Sequence, residues 1–351
     1  MPEPSNIDPR HRPRRLTIEL ANSCNLHCAY CLRDADALYH DASRFMDIDT
    51  LRQLVREARE VAAVAEVSFT GGEPTLHPRF AEAIAACAAE GMQVSFVTNG
   101  WNFQDIFGDL LCHRDSLHHV AFSVDGTRAD THDRWRGKGS FERLIRAFTY
   151  CHKYELPFVL KVGIRRDTVA QLEEFAMFAA RFGAARLSFA HLMPTSPALE
   201  SNLSLTLNEQ RQAEEEIALL ARIFKMKIGI DVGYYNIDEA PPCAPLARSS
   251  YNVDYKGRLT LCCNLSGFRG SGGDGDVVGD LNTETFAGAL KRFEELSIRQ
   301  SQARLTALST LRAEGIIPDL YTGSPCLFCL KSFGKLPWQA HAVEISRSAQ
   351  L

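Results

Sequence analysis

Short apolar, β-rich stretches alternate with longer segments whose apolar positions recur at helical spacing through most of the first two thirds of the chain. Strands are expected at RLTIELA (15–21), EVSFT (66–70), QVSFVT (93–98), HHVAFSV (118–124), PFVLKVGI (157–164) and ARLSFAHL (185–192). Helices are expected over 46–63, 78–91, 102–114, 140–154, 169–183 and 206–226. Asp47 or Asp49 suits the N-cap of the first helix and Ser140 that of the fourth, and Gly91 closes the second at C′. Six strand–helix units in strict alternation imply a parallel sheet with right-handed crossovers. A closed eight-unit barrel takes about 250 residues, so the pattern predicts an α/β fold with a partial (β/α)6 barrel, open on one side.

After KIGIDVGYY (227–235) the pattern breaks at Pro241, Pro242 and Pro245. NVDYKGRLTLCC (252–263) reads as a hairpin turning at Lys256-Gly257. GFRGSGGDGD (267–276) reads as a flexible loop, because it lacks the Lys-Ser/Thr and the strand-to-helix context of a phosphate loop. A helical region over about 283–314 follows. The expected organisation is a flexible segment 1–14, a barrel 15–235 and a C-terminal unit 236–351.

With 351 residues, 45% hydrophobic, the chain can bury a sizeable core, and a net charge of −4 gives no bulk argument for nucleic-acid binding. The N-terminus lacks the apolar stretch of a signal peptide, and no run reaches the length of a membrane span. A cytoplasmic location is expected. Eleven cysteines in such a chain argue for metal chemistry over a disulfide framework. Cys87, Cys112 and Cys151 fall within expected helices and read as small core residues.

The rest form two constellations. Cys24, Cys28 and Cys31 lie directly after the first strand, at the end of a barrel strand where chemistry resides. Three thiolates can hold three irons of a cubane and leave the fourth iron open. A zinc site completed by His27 fits poorly, because His27 lies inside the same tight loop. Cys243, Cys262, Cys326 and Cys329 follow a C-x18-C-x63-C-x2-C order. Four thiolates suit a closed [4Fe–4S] cluster or a zinc knot equally. Cys263, beside Cys262, is either a spare thiol or the ligand in its place.

The C-x3-C-x2-C motif, with Tyr30 before its last cysteine, resembles the signature of radical S-adenosylmethionine (SAM) enzymes. The resemblance implies a [4Fe–4S] cluster whose open iron chelates SAM, and cleavage of SAM to a 5′-deoxyadenosyl radical that abstracts hydrogen. Gly71, Gly72, Glu73 and Pro74 match the family's motif for the methionyl amino group. Thr98 and Asn99 match the pattern after strand three, and Ser123 and Asp125 the positions that bind methionyl carboxylate or ribose. Arg165, after strand five, is a candidate partner for that carboxylate. HDRWRGKGSF (132–141) and VVGDLNTETF (277–286) resemble segments of relatives with SPASM or twitch extensions. That likeness implies a second, auxiliary [4Fe–4S] cluster on Cys243, Cys262, Cys326 and Cys329. Five cysteines in the region, fewer than a full SPASM extension has, imply one cluster there, the twitch pattern.

A closed auxiliary cluster beside a radical generator suggests net oxidation, with electron transfer to that cluster. Peptide modification is the favoured substrate class, and oxidation of a small aminocyclitol or sugar alcohol is the alternative. A non-enzymatic zinc or iron–sulfur scaffold is a remote one, since a scaffold needs no amino-acid clamp. The first strand begins near residue 15, so a peptide substrate would need a separate leader-binding protein or none. The expected reductant is a flavodoxin or ferredoxin; neither nucleic acid nor membrane is an expected partner. His191, Asp231 and Tyr234 are polar residues at strand ends and the available candidates for substrate contact.

Overall fold

The computed structural model describes residues 14–33, 44–239, 242–270 and 273–336. The segment read as a flexible N-terminus lies outside the described residues, except Arg14, which opens the first strand.

One ten-stranded sheet organises the chain. Its parallel strands are β1 (Arg14–Ala21), β2 (Val64–Gly71), β3 (Gln93–Thr98), β4 (Leu117–Val124), β5 (Phe158–Ile164), β6 (Arg186–His191) and β7 (Lys227–Val232), side by side in chain order. Between them run helices α1 (Ile48–Ala62), α2 (Phe80–Ala89), α3 (Phe103–Cys112), α4 (Ala129–Arg136), α5 (Ser140–Lys153), α6 (Leu172–Phe182), α7 (Ser196–Glu200) and α8 (Leu207–Ile223). The partial (β/α)6 architecture is present, and KIGIDV adds a seventh parallel strand.

Side chains alternate across each strand. Phe122 meets Phe148 of α5 edge-on and Phe158 stacks against it, so they face the helices. Ser123 and Lys161, paired in register between them, face the other way. The concave side of the sheet is therefore polar, a lining suited to a reaction chamber.

The expected hairpin is present as β8 (Ser250–Val253) and β9 (Arg258–Thr260), with β10 (Val277–Asp280) added antiparallel. Its placement was not visible in the sequence: β8 pairs parallel with β1, so the C-terminal region continues the barrel sheet. The chain ends in α9 (Phe286–Ala313), α10 (Leu320–Gly323) and α11 (Pro325–Ser332). The far end of the glycine-rich loop is anchored, with buried Asp276 and Lys335 paired at 3.0 Å.

One open alternative is settled and two local readings change. Asp47, not Asp49, caps α1, accepting from the Thr50 N–H at 2.8 Å. Ser140 does not cap α5: Asp133 accepts from the N–H groups of Gly139 and Phe141, both at 2.7 Å, so the Ser140 hydroxyl turns to the Arg136 carbonyl. Cys87 and Cys151 are core residues, but Cys112, the last residue of α3, is exposed.

Candidate active site

The first cysteine loop is held by its neighbours. Gly71 sits at φ +122°, and a Cβ there would lie 2.2 Å from the Ala21 carbonyl oxygen, so only glycine fits. That close approach lets Gly72 N–H donate to Ala21 O and Glu73 N–H to Ser23 O, both at 2.8 Å. The GGEP turn is thereby sewn to the segment entering Cys24. Glu73 is buried and accepts at Oε1 from Thr75 N–H (3.2 Å), Thr75 Oγ1 (2.6 Å) and Thr98 Oγ1 (2.8 Å). Its Oε2 accepts from Asn99 N–H at 2.8 Å. Asn99 Nδ2 donates to Asn25 Oδ1 at 2.8 Å and lies 4.0 Å from Cys24 Sγ. The motifs after strands one, two and three thus form one connected unit, in which Pro74 opens a 3-10 turn.

Asp125 centres a second unit, fully buried after β4. The Tyr30 hydroxyl and Arg136 Nε donate to Oδ2, and Arg165 Nη1 donates to Oδ1. Burial opposes ionisation of Asp125, but Arg136 and Arg165 outweigh it and hold the carboxyl well below its usual range. Arg165 is taken up by Asp125 and by Asp167 (2.9 Å), and its guanidinium lies over the rings of Tyr30 and Trp135. Ser123 is half-buried one strand residue before this network. Arg136 also acts on the Cys28 thiol, favouring its ionised form against burial. Trp135 and Arg136 lie within HDRWRGKGSF yet were not singled out; on α4 their side chains reach a site made by other strands.

The first three cysteines are half-buried in one loop, and Cys28 and Cys31 both act on Cys24. Burial pushes Cys24 up to about 12. A metal reverses such a shift outright, since a coordinating thiol is deprotonated. Three thiols in one loop, a nearby guanidinium and an adjacent amide fit a cluster with three protein ligands.

The second set also converges, from three separate places: a loop, the end of the hairpin and α11. Cys326 acts on Cys243, Cys262 and Cys329. Burial pushes Cys329 up to about 12. Cys262 and Cys263 share a thiol hydrogen bond, and the Cys263 side of the pair lies toward Arg33, Glu19 and Lys161. Gln300 Nε2 donates to Cys329 Sγ (3.5 Å), Gly233 N–H to Cys326 Sγ (3.4 Å) and Asn264 N–H to Cys262 Sγ (3.5 Å). Buried Arg304 stands beside Cys329 and Cys243. Among the described residues no cysteines form a disulfide, and no three His, Cys, Asp or Glu side chains close around a single ion.

The two sets are tied together. Arg269 N–H donates to Leu32 O (2.8 Å) and Arg269 Nη1 to Ala29 O (3.1 Å). Arg33 pairs with buried Glu19 at 2.9 Å and donates to Ser266 O. The segment after Cys31 is therefore clamped to the segment after Cys262.

The candidate substrate contacts are engaged elsewhere. His191 Nε2 lies 3.1 Å from Glu214, and Tyr234 donates to the Pro242 carbonyl. Asp231 pairs with Lys161 (2.9 Å) and Arg186, which hold it down at about 2 against its burial.

This is a partial barrel with a three-cysteine loop at the mouth of its first strand and a second thiol set between the end of β7 and the added hairpin. Residues 18–179 match the Radical SAM superfamily, and that segment is a radical SAM domain. Mycofactocin maturase MftC of Mycolicibacterium smegmatis is 32% identical over 203 residues, 57% of this chain and 50% of that protein. PqqA peptide cyclase of Methylorubrum extorquens is 28% identical over 273 residues, 74% of this chain and 68% of that protein. The match thus spans about half the length of the mycofactocin maturases. Among solved structures, Streptococcus suis SuiB bound to S-adenosylmethionine superposes with TM-score 0.63 at 15% identity, over 79% of this chain and 65% of that one. The protein anSMEcpe with bound AdoMet gives 0.64 at 17% identity, over 83% and 81%. These structures share the fold. The family implies a [4Fe–4S] cluster and SAM. Among the described residues no helix is long and apolar enough to cross a membrane.

Proposed function

We propose that the protein is a radical SAM oxidoreductase that modifies a peptide, with a second [4Fe–4S] cluster on Cys243, Cys262, Cys326 and Cys329. The names of its relatives, a maturase and a peptide cyclase, support the peptide class, as does SuiB, whose structure was also solved bound to precursor peptide SuiA. The observation that carries the reading is the clamp between the two cysteine sets, which ties both sets to one another.

When bound, the first cluster and SAM supply a 5′-deoxyadenosyl radical that takes a hydrogen atom from the substrate. Cys24, Cys28 and Cys31 hold that cluster. Glu73 Oε2 accepts one protein bond and has room for a second donor, the methionyl ammonium of SAM. The backbone at Gly71 and Gly72 allows close approach. Asp125, Arg136, Arg165 and Tyr30 form a rigid wall beside Cys28, where Ser123, Thr98 and Asn99 complete the cofactor's surroundings. The polar concave face, with Lys161 and Ser123, receives the peptide. Cys243, Cys262, Cys326 and Cys329 would hold the second cluster, which would supply an acceptor for the electron left on the substrate. A one-electron donor such as flavodoxin or ferredoxin primes the first site, and a separate leader-binding protein presents the peptide. The barrel is taken to end near 235, and the protein to work in the cytoplasm.

Anaerobically reconstituted protein, SAM and a strong reductant are expected to yield 5′-deoxyadenosine and methionine. Candidate precursor peptides encoded beside the gene are expected to lose mass in units of two hydrogens. Absence of deoxyadenosine from iron-loaded protein contradicts the proposal.

A further inference from the structure

This inference rests on reading the second thiol set as an iron–sulfur site. Arg304 of α9 is 1% exposed. Its guanidinium donates from Nη2 to two backbone carbonyls, Asn236 O and, at 3.1 Å, Gly323 O, while Nε has no partner. Among the described residues no carboxylate forms an ion pair with it, whereas each of the other fully buried cations does: Arg165 with Asp125 and Lys335 with Asp276. A buried, unpaired guanidinium is costly. The groups that act most strongly on its charge are the thiols of Cys329 and Cys243, ahead of Tyr234 and Asp238.

An iron–sulfur cluster carried by four thiolates is anionic and supplies the missing counter-charge. Net charge, hydrogen bonds to sulfur and solvent exposure set the potential of such a cluster. Charge and hydrogen bonding act in one direction here. Arg304 brings a buried positive charge, and Gln300, Gly233 and Asn264 direct three N–H groups at cluster sulfurs. The cysteines are half-buried or buried. The positive charge and the N–H groups favour the state with one more electron, against the burial of the cysteines, which opposes added negative charge. The first site differs: its nearest guanidinium, Arg136, is matched by Asp125, and the amide of Asn99 stands 4.0 Å from Cys24 Sγ.

We propose that Arg304 sets the reduction potential of the auxiliary cluster and makes it the electron acceptor of the pair. In the oxidation, the substrate radical gives one electron to that cluster and one proton to solvent. The reduced cluster then passes its electron to a one-electron carrier protein.

The test is a potentiometric titration followed by electron paramagnetic resonance, on full-length, anaerobically reconstituted wild type, R304Q and R304K, with and without SAM. The auxiliary signal is the one that SAM leaves unchanged. R304Q is expected to shift that signal to more negative potential, or to lose it with half of the iron. R304K, which keeps the charge, is expected to stay near wild type in both respects. The signal that SAM perturbs is expected at wild-type potential in both variants. R304Q carrying full iron at wild-type potential overturns the role of Arg304 and leaves the cluster reading intact. R304K behaving as R304Q overturns it too, because shape rather than charge then matters. Wild-type protein with zinc at the second site removes the cluster reading and this role together.

Discussion

The two cysteine sites are built by opposite strategies. The first comes from eight consecutive residues, and its surroundings are three strand-end motifs sewn to it by backbone hydrogen bonds. The second draws four cysteines from positions up to 86 apart (329 − 243), brought together by a hairpin, a loop and α11. The first has three cysteines, one fewer than a cubane's four irons, and is lined by matched charges. The second has four cysteines, surrounded by N–H donors and faced by an unmatched arginine. One arrangement suits the binding and cleavage of a cosubstrate; the other suits moving an electron.

Replacing Cys24, Cys28 and Cys31 together with Ala breaks the comparison most severely. Deoxyadenosine production is expected to disappear, while about four irons and four sulfides of the second cubane remain; metal and sulfide analysis checks this. Next in size is Arg33→Ala. Cutting the clamp leaves Glu19 buried and unpaired, a loss of about 3–5 kcal/mol for breaking a buried pair. Denaturant unfolding measures it, and the account expects both sites to loosen together.

Much of the first site was legible in the sequence because its determinants are local. C-x3-C-x2-C, GGEP and SVDG each follow a strand, and strand ends in a parallel barrel share one face. The second site was legible only as a cysteine set. Arg304 and Gln300 lie on one face of a long helix, where nothing in the local pattern distinguishes them from other polar positions. The pairing of β8 with β1 joins segments more than 200 residues apart. Arg165 was expected to face the cofactor; its neutralisation by Asp125 depends on a contact 40 residues away. Asp231 stands at a strand end as expected, but Lys161 and Arg186, on adjacent strands, claim its carboxylate.

Gly71→Ala sharpens the comparison at smaller scale. It forces a Cβ onto the Ala21 carbonyl and a residue into φ +122°, with strain of about 1–3 kcal/mol. SAM affinity is expected to weaken, while the second site's spectrum stays unchanged; equilibrium binding and electron paramagnetic resonance check the two halves. The smallest effect is expected from Asp231→Asn. Asp231 titrates at about 2 in the folded chain, below its unfolded value of about 3.9. Its ionised form therefore stabilises the fold above about pH 4, and that stability is lost as pH falls toward 2. The variant should be less stable at neutral pH and should lose less between pH 4 and 2; acid titration of the unfolding midpoint reads this.

The division of labour between the sites is tested most directly by the double variant Cys326→Ala with Cys329→Ala. Deoxyadenosine and oxidised peptide are measured in the same reactions, with circular dichroism confirming the fold. The account predicts that deoxyadenosine still forms and that oxidised peptide does not. Loss of both from a folded variant that keeps its first cluster, or retention of both, contradicts it.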